Sequence, residues 1–289
     1  MNGDILALLQ EKATTFSKGQ RALARYITES YEKAAFMTAG ALGKAAEVSE
    51  STVVRFAAEL GFEGYPSMQK ALQDMVLNRL TSVQRIEVAS DRIGNQDVVS
   101  MVLQADAEKL HQTSEILDRN EFHAAVQAIR QGKRIYILGA RSAAPLASFL
   151  GYYLNFMFHN VHVVTASGSS EMFENVVDVN SDDVVIAFSF PRYSAATAKG
   201  AQFCRTTGAK VVGITDSRIS PLGQHCDYVL LAKSDMVSLV DSLVAPLSVI
   251  NALLVTLASG CEESLSKTFD TLEQVWEEYN VYEKRFDDQ

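Results

Sequence analysis

The sequence of 289 residues contains little cysteine. Its three cysteines stand far apart, at Cys204, Cys226 and Cys261. No CxxC pair is formed, so neither a zinc ribbon nor a disulfide scaffold is expected, and no metal site is predicted. The N-terminus lacks the pattern of a secretory signal. The longest apolar run, residues 244–258, is interrupted by Pro246 and is too short to span a membrane. These absences predict a cytoplasmic protein that does not interact with membranes.

An excess of basic charge is also absent, since the net charge is −9. Residues 1–80 carry nine basic and nine acidic side chains, whereas the remaining 209 residues carry 17 basic and 26 acidic ones. The whole net charge therefore lies in the second part. A neutral segment can still bind DNA if its basic side chains share one face, because phosphate attraction acts within a Debye length of about 10 Å.

Residues 1–80 are predicted to be helical throughout. Ser17, Thr38 and Ser49 each stand where a hydroxyl can cap the N-terminus of an amphipathic segment. They predict helices that begin after these three residues, between an opening helix that runs toward Thr15 and a last helix near residues 67–80. The polar stretch 81–97 is predicted to be a linker, and a pair of helices follows near residues 98–117 and 120–131.

From Lys133 onwards, short β-branched runs alternate with helical segments. The runs cover residues 134–138, 161–165, 183–189, 210–215 and 228–232. They are apolar throughout, which is typical of parallel strands covered on both faces. We therefore predict a multidomain chain. An all-α domain (1–80) and the linker (81–97) precede an α/β domain (98–289) with three layers and a five-stranded parallel sheet of flavodoxin-like topology.

The segment from Thr38 to Phe62 has the spacing of a helix-turn-helix. Leu42 and Ala45 are predicted to point the first helix inward, and Gly43 is small where the two helices cross. The inner stripe of the second helix is predicted to be Val53, Phe56, Ala57 and Leu60. An ordinary pair of packed helices with capping serines explains the same pattern. Glu47 stands where a glycine with positive φ is often preferred, at a cost of about 1 kcal/mol.

The outer face of the second helix carries small hydroxyl side chains and one arginine. Such a helix N-terminus can approach the major groove, and an arginine one turn later can reach a guanine edge or a phosphate. The candidate residues for contact with double-stranded DNA are Lys44, Ser49, Glu50, Ser51, Thr52 and Arg55.

Two loops at the carboxyl ends of predicted strands combine hydroxyl groups with helix N-termini. Ligands bind at this edge of parallel sheets, so a site is expected in the loops after Leu138, Ser189 and Thr215. Helix N-termini attract anions. Gly139 allows a tight turn after the first strand, and Arg192 offers a bidentate fork after the third. Neither GxGxxG nor a P-loop lysine is present, so a sugar phosphate fits better than a nucleotide and no cofactor is expected. The hydroxyls are those of Ser142, Ser189, Ser194 and Thr197.

These residues also have ordinary structural explanations. Ser189 and Thr197 can cap helices or bond to the backbone. Arg192 can be a solvated loop cation or form a salt bridge between subunits.

Five segments together carry a family resemblance that covers essentially the whole chain. They are FSKGQRALARYI (16–27), VSESTVVRFAAELGFEGY (48–65), ILGARSA (137–143), FSFPRYS (188–194) and SPLGQHCDYVLL (220–231). In these segments and their order, the sequence resembles the RpiR-type transcriptional regulators. That family has an N-terminal helix-turn-helix domain and a C-terminal sugar isomerase (SIS) domain.

The resemblance implies a DNA-binding regulator rather than an enzyme, whose SIS domain senses a phosphosugar and thereby alters operator binding. It also implies that Ser142, Ser189 and Ser194 hold the phosphate. Arg141 stands where glycine is common in the family, and Ser-Phe-Pro-Arg-Tyr-Ser replaces the usual Ser-x-Ser-Gly-x-Thr. The identity of the effector is therefore left open, and so is whether an effector binds at all. The full candidate set is Gly139, Arg141, Ser142, Ser189, Arg192, Ser194 and Thr197.

A regulator that reads a palindromic operator is expected to be a homodimer or homotetramer. Residues 262–287 predict an amphipathic helix that carries the single tryptophan, Trp276. This helix can join subunits or pack on its own domain.

The alternative function is a phosphosugar isomerase on the same sheet. Aldose–ketose isomerisation requires a base, and Glu171, Glu174 or His159 can be proposed for it. None of them has a neighbour in the sequence that would tune its pKa. The helix-turn-helix would also have no role in an isomerase.

Overall fold

The computed structural model describes residues 5–79, 97–166, 168–234 and 240–282. The chain divides into two compact units, one over residues 1–105 with 235–242 and the other over residues 106–234 with 243–289. The predicted linker, residues 81–97, lies almost entirely outside the described residues. The predicted domain bounds of 1–80 and 98–289 therefore stay a prediction.

The first unit is helical, as predicted. Its helices include α1 (Ile5–Glu11), α2 (Lys18–Glu29), α3 (Tyr31–Ala34), α4 (Ala39–Ala45), α5 (Glu50–Glu59) and α6 (Tyr65–Arg79). The side chains of Ser17, Thr38 and Ser49 cap α2, α4 and α5, which confirms the three predicted caps. The first helix ends at Glu11, short of the expected Thr15. Helix α3 was not predicted, because four residues are too few to show a helical period.

The core of this unit forms around the inner stripe of α5. Val53, Phe56 and Ala57 are fully buried, and the ring of Phe56 packs edge-on against Phe16 with 5.2 Å between centroids. Met68 and Leu72 of α6 belong to the same apolar cluster. The second helix of the predicted helix-turn-helix is therefore held by its apolar face, which leaves its other face outward.

The α/β part begins with two helices and continues as alternating strands and helices. The helices are α7 (Val98–Ile116), α8 (Arg119–Gln131), α9 (Ala144–Met157), α10 (Ser169–Val176), α11 (Ala195–Thr206), α12 (Val244–Ala258) and α13 (Glu262–Glu278). The strands are β1 (Ile135–Gly139), β2 (Val161–Val164), β3 (Val184–Phe188), β4 (Lys210–Thr215) and β5 (Tyr228–Leu231). They form one parallel sheet in the order β2-β1-β3-β4-β5, which confirms the predicted topology.

Helices cover both faces of the sheet. Ile137, Ile186 and Ile214 of one face pack in a cluster that includes buried residues of α8, α9 and α12. Leu138 and Ala187 belong to the opposite face, which packs with α10 and α11. The central strands β1 and β3 are consequently buried at every position, as the sequence pattern indicated, whereas the edge strand β2 exposes His162 and Val163.

The strand order places the switch point of the sheet between β1 and β3. After β1 the chain crosses to β2 on one side of β1, and after β2 it crosses back to β3 on the other side. Gly139 at the end of β1 is paired with Phe188 at the end of β3, and Phe188 with Ile214 of β4. The loops that follow β1, β3 and β4 therefore meet at one edge. A switch point of this kind forms a crevice in which ligands of doubly wound sheets bind.

The C-terminal helices differ in burial. Helix α12 covers the predicted apolar run and is largely buried, whereas α13 is amphipathic and only partly buried at Leu265 and Trp276. Helix α13 ends at Glu278, nine residues before the predicted end. Among the described residues, no helix is long and apolar enough to cross a membrane.

Candidate functional site

The crossing of α4 and α5 depends on Gly43. A Cβ at this position would lie 2.9 Å from the carbonyl oxygen of Val48, closer than real Cβ contacts allow. The Gly43 carbonyl also accepts a hydrogen bond of 2.8 Å from the Val48 amide. The small residue predicted at the crossing is therefore required by the backbone of the turn. The expectation that Ala45 points inward is wrong: Ala45 is exposed, and Ala46 is the buried alanine.

The turn between α4 and α5 contains a left-handed residue. Glu47 has a φ of 56°, the backbone region that favours glycine. The sequence pattern indicated this position. Its side chain is exposed, so no packing inside the described part of the unit compensates for the strain of about 1–2 kcal/mol.

The outer face of α5 is accessible in its own unit. Ser49, Glu50, Ser51 and Arg55 are exposed, and so is Lys44 of α4. Thr52 is partly buried. This side of α5 is therefore free of the packing that covers its apolar stripe.

The three hydroxyls at the start of α5 form a local network. Ser49 Oγ lies 2.9 Å from Ser51 Oγ and 2.8 Å from Thr52 Oγ1, and it accepts the Thr52 amide. Arg55 Nε donates to the Ser51 carbonyl at 3.3 Å, which leaves its terminal nitrogens pointing away from that bond. The helix start thus presents hydroxyls, and the next turn presents a guanidinium.

The loop after β1 begins with a close approach to the next helix. A Cβ on Gly139 would lie 2.8 Å from both the Ala143 carbonyl oxygen and the Ala147 Cβ. Gly139 is needed for this contact, and the positive φ of the loop is found at Arg141, with a value of 58°. Arg141 and Ser142 are exposed just before α9 begins.

The loop after β3 is shaped by its serines. Ser189 Oγ accepts the Ser194 amide at 3.1 Å, and Ser194 Oγ accepts the Thr197 amide at 3.2 Å as the cap of α11. Of the two structural explanations for Ser189 and Thr197, bonding to the backbone applies to Ser189, whereas the cap of α11 is Ser194. A hydroxyl that accepts a bond can still donate its own proton to a ligand.

Thr197 lies in the first turn of α11 and is fully buried. Its Oγ1 has no hydrogen-bond partner among the residues that the structure describes. Buried hydroxyls in native proteins almost always have a partner. An unsatisfied hydroxyl beside the loop of Ser189 and Ser194 is therefore typical of a site that a polar ligand completes.

The loop after β4 also joins the site, as the sequence predicted, although none of its residues was named as a contact. After β4, the Asp216 carboxylate accepts hydrogen bonds from Tyr193 Oη at 3.0 and 3.1 Å and from Thr215 Oγ1 at 3.2 Å. Thr215 Oγ1 also lies 3.1 Å from Ser220 Oγ. The position of Asp216 after a buried strand is a signal that could have pointed to it, because carboxyl ends of parallel strands share an edge.

Family models match both units. The model of the helix-turn-helix domain of the rpiR family matches residues 3–78, and the model of the SIS domain matches residues 128–256. The chain belongs to the RpiR family of transcriptional regulators. The first match contains the Thr38–Phe62 segment, and the second contains all seven candidate ligand residues.

Curated relatives extend over almost the whole chain. The HTH-type transcriptional regulator HexR of Escherichia coli is 25% identical over 293 residues, which covers 99% of this chain and 97% of that protein. HexR of Pseudomonas aeruginosa is also 25% identical, over 90% of this chain and 91% of that protein. This RpiR-family chain therefore shares its complete two-part organisation with transcriptional regulators.

Solved structures agree with this assignment. The sugar isomerase domain of an RpiR transcription factor from Sphaerobacter thermophilus has 27% identity and a TM-score of 0.59, and it covers 62% of this chain and 99% of that one. The Vibrio vulnificus NanR protein, solved with ManNAc-6P, has 21% identity and a TM-score of 0.57 over 93% of this chain and 97% of that one. The second likeness concerns the fold alone.

Proposed function

We propose that this regulator contacts its operator through the outer face of α5. The arrangement in support is an exposed helix start with Ser49 and Ser51 and an exposed Arg55 one turn later. Small side chains let the helix backbone approach the major groove, and arginine is the commonest reader of a guanine edge. Lys44, Glu50 and Thr52 lie around them and complete the proposed contact set.

The proposed effector is a phosphosugar bound at the switch point between β1 and β3. The observation that carries this proposal is the buried, unsatisfied hydroxyl of Thr197, next to a loop whose serines are already ordered. The N-termini of α9 and α11 add partial positive charge at the same edge. Gly139, Ser142, Ser189 and Ser194 are the remaining proposed contacts, together with Arg141 and Arg192. That NanR was solved with ManNAc-6P gives further support for this class of ligand.

Thermal unfolding of the full chain tests the effector. Hexose, aminosugar and pentose phosphates are added one at a time, with the matching unphosphorylated sugars as controls. A ligand at 100 times its dissociation constant adds about 2.7 kcal/mol to the free energy of unfolding, which raises Tm measurably. If no phosphosugar raises Tm more than its sugar, the proposed sensor is wrong.

We also propose that the chain is not an isomerase. His159, Glu171 and Glu174 are all exposed, and Glu174 accepts a hydrogen bond from Ser170 on its own helix at 2.8 Å. A general base in such a reaction is held against the substrate in a sheltered site. Turnover of any sugar phosphate by the purified chain would restore the isomerase.

The assembly is proposed to be a homodimer or homotetramer, because two helix-turn-helix modules can then bind the halves of a palindromic operator. A protein that acts on the chromosome of a bacterium works in the cytoplasm, which is the proposed location. Light scattering during size-exclusion chromatography measures the mass, and a monomer at all concentrations would contradict the assembly.

A further inference from the structure

Two arginines of the ligand site occupy a backbone conformation that arginine rarely adopts. In the described part of the chain, the residues other than glycine with positive φ are Glu47, Arg141, Arg192 and Asn280. Arg141 has a φ of 58° and Arg192 a φ of 65°. A glycine would adopt either conformation without strain. The presence of a guanidinium at both positions therefore has a conformational cost, and such costs are concentrated at functional sites.

The loop that contains Arg192 is held on both sides of this residue. The Ser194 amide is bonded to Ser189 Oγ, and the Tyr193 hydroxyl is bonded to both oxygens of Asp216. Because Asp216 lies after β4, these bonds connect the loop to two neighbouring strands. The backbone next to Arg192 is therefore anchored at Tyr193 and Ser194.

Both arginines lie at the same edge of the sheet and near its surface. Gly139 and Phe188 are register partners, Arg141 follows Gly139 by two residues, and Arg192 follows Phe188 by four. Both side chains are exposed, whereas Ser189 and Thr197 are buried. Among the described residues, the Arg141 guanidinium has no hydrogen-bond or ion-pair partner. The site thus combines buried hydroxyls with a rim of two exposed cations, Arg141 and Arg192.

We propose that the effector carries a second anionic group besides its phosphate, and that Arg141 and Arg192 bind this group at the rim. The proposal rests on the proposed phosphosugar function and narrows its ligand to a sugar phosphate with a carboxylate or a second phosphate. In this proposal, the hydroxyls and the N-termini of α9 and α11 bind the phosphate. A guanidinium fork matches carboxylate and phosphate oxygens equally well, so the geometry favours a doubly anionic sugar without choosing between the two groups.

Calorimetry on the full chain tests this with matched pairs of compounds. The pairs are glucose 6-phosphate with 6-phosphogluconate, fructose 6-phosphate with fructose 1,6-bisphosphate, and ribose 5-phosphate with ribose 1,5-bisphosphate. In at least one pair, the doubly anionic member should bind roughly 10- to 100-fold more tightly, as expected for one added charge-assisted hydrogen-bonded pair. The first pair reports on a carboxylate, and the other two report on a second phosphate.

The decisive variant carries Arg141→Gly and Arg192→Gly together. It should fold with an unchanged or higher Tm, because glycine suits both positions, and it should lose the preference within the pair. Glu47→Gly is the matched control, since it makes the same exchange at a left-handed position outside the site and should keep the preference. Arg141→Lys with Arg192→Lys, which keeps the charge, should retain part of it.

Each outcome decides the proposal. Equal affinity within every pair that binds would overturn it and leave the phosphosugar function standing. A double glycine variant that loses affinity for both members of a pair equally would place the arginines on the phosphate itself and overturn it too. If none of the six compounds binds the wild-type chain, the doubly anionic effector is refuted, and the thermal screen that also includes aminosugar phosphates then decides the phosphosugar function.

Discussion

Replacement of Gly43 by alanine tests whether the close crossing of α4 and α5 shapes the DNA-binding unit. The added Cβ would lie 2.9 Å from the Val48 carbonyl oxygen and 3.4 Å from the Glu50 amide nitrogen. Both atoms belong to the backbone, so neither can move without shifting the turn or the start of α5. Overpacking of this kind costs roughly 1–3 kcal/mol. Alanine within a helix recovers about 1 kcal/mol through its higher helix propensity.

Gly40 provides a matched control in the same helix. Alanine at Gly40 gains the same propensity, and its Cβ would meet only the flexible side chain of Glu50, at 3.2 Å from Oε2. The propensity gain cancels between the two variants, so their difference measures the crossing alone. We expect Gly43→Ala to be less stable than Gly40→Ala by roughly 1–3 kcal/mol.

Thermal and urea unfolding followed by circular dichroism measure this difference. For a unit of this size, 1 kcal/mol corresponds to about 4–8 °C in Tm. Operator affinity from a gel shift should fall much further in Gly43→Ala than in Gly40→Ala, because only the first displaces the backbone of α5, whereas the second touches the Glu50 side chain alone. Two variants of equal stability would refute the account of the crossing.

Three further changes test DNA binding, phosphosugar binding and the stability of the fold separately. Arg55→Ala should weaken operator binding markedly in a gel shift while the SIS domain keeps its Tm; unchanged affinity would mean that the recognition helix is misplaced. Ser142→Ala combined with Arg192→Ala should abolish the phosphosugar response in thermal unfolding and leave DNA binding intact, and a double mutant that still responds would move the ligand site elsewhere. Asp183→Ala, which removes the partner of the Arg134 guanidinium at 2.6 Å, should cost roughly 1–3 kcal/mol in urea unfolding at pH 7, because the partly exposed Arg134 is not left as a fully buried charge. Burial raises the pKa of Asp183, but hydrogen bonds from Arg134 and the Asn180 amide outweigh burial and hold that pKa below its usual value. The stabilisation by Asp183 is therefore present above about pH 4 and is lost as the pH falls through the lowered pKa. The loss of unfolding free energy in Asp183→Ala should consequently be smaller at about pH 3 than at pH 7. A loss that is constant with pH would contradict this role of Asp183.

The sequence predicted most of the fold because local signals and the global pattern agree. Ser17, Thr38 and Ser49 cap helices as expected. The five predicted runs largely coincide with the five strands, since the central strands of a sheet covered on both faces need apolar residues at every position. The pattern was insufficient for α3, which is too short to show a helical period, and for the end of α13.

Parts of the site could not be predicted, because they depend on contacts between distant residues. Tyr193 and Asp216 are 23 positions apart and meet only through the pairing of β3 with β4. The unsatisfied Oγ1 of Thr197 depends on burial from several elements. The positive φ of Arg141 and Arg192 was indicated only indirectly, by the glycines that are common at these positions in the family.

The central claim is that a ligand bound at the edge of the sheet changes how tightly the helix-turn-helix binds DNA. The most direct measurement is the dissociation constant of the full chain for its operator, by fluorescence anisotropy, with and without the phosphosugar that raises Tm. The operator is obtained by sequencing genomic fragments that the purified chain retains. Coupling between the two sites predicts a change of about 5- to 150-fold. An operator affinity that stays the same while the ligand saturates its site would contradict the claim.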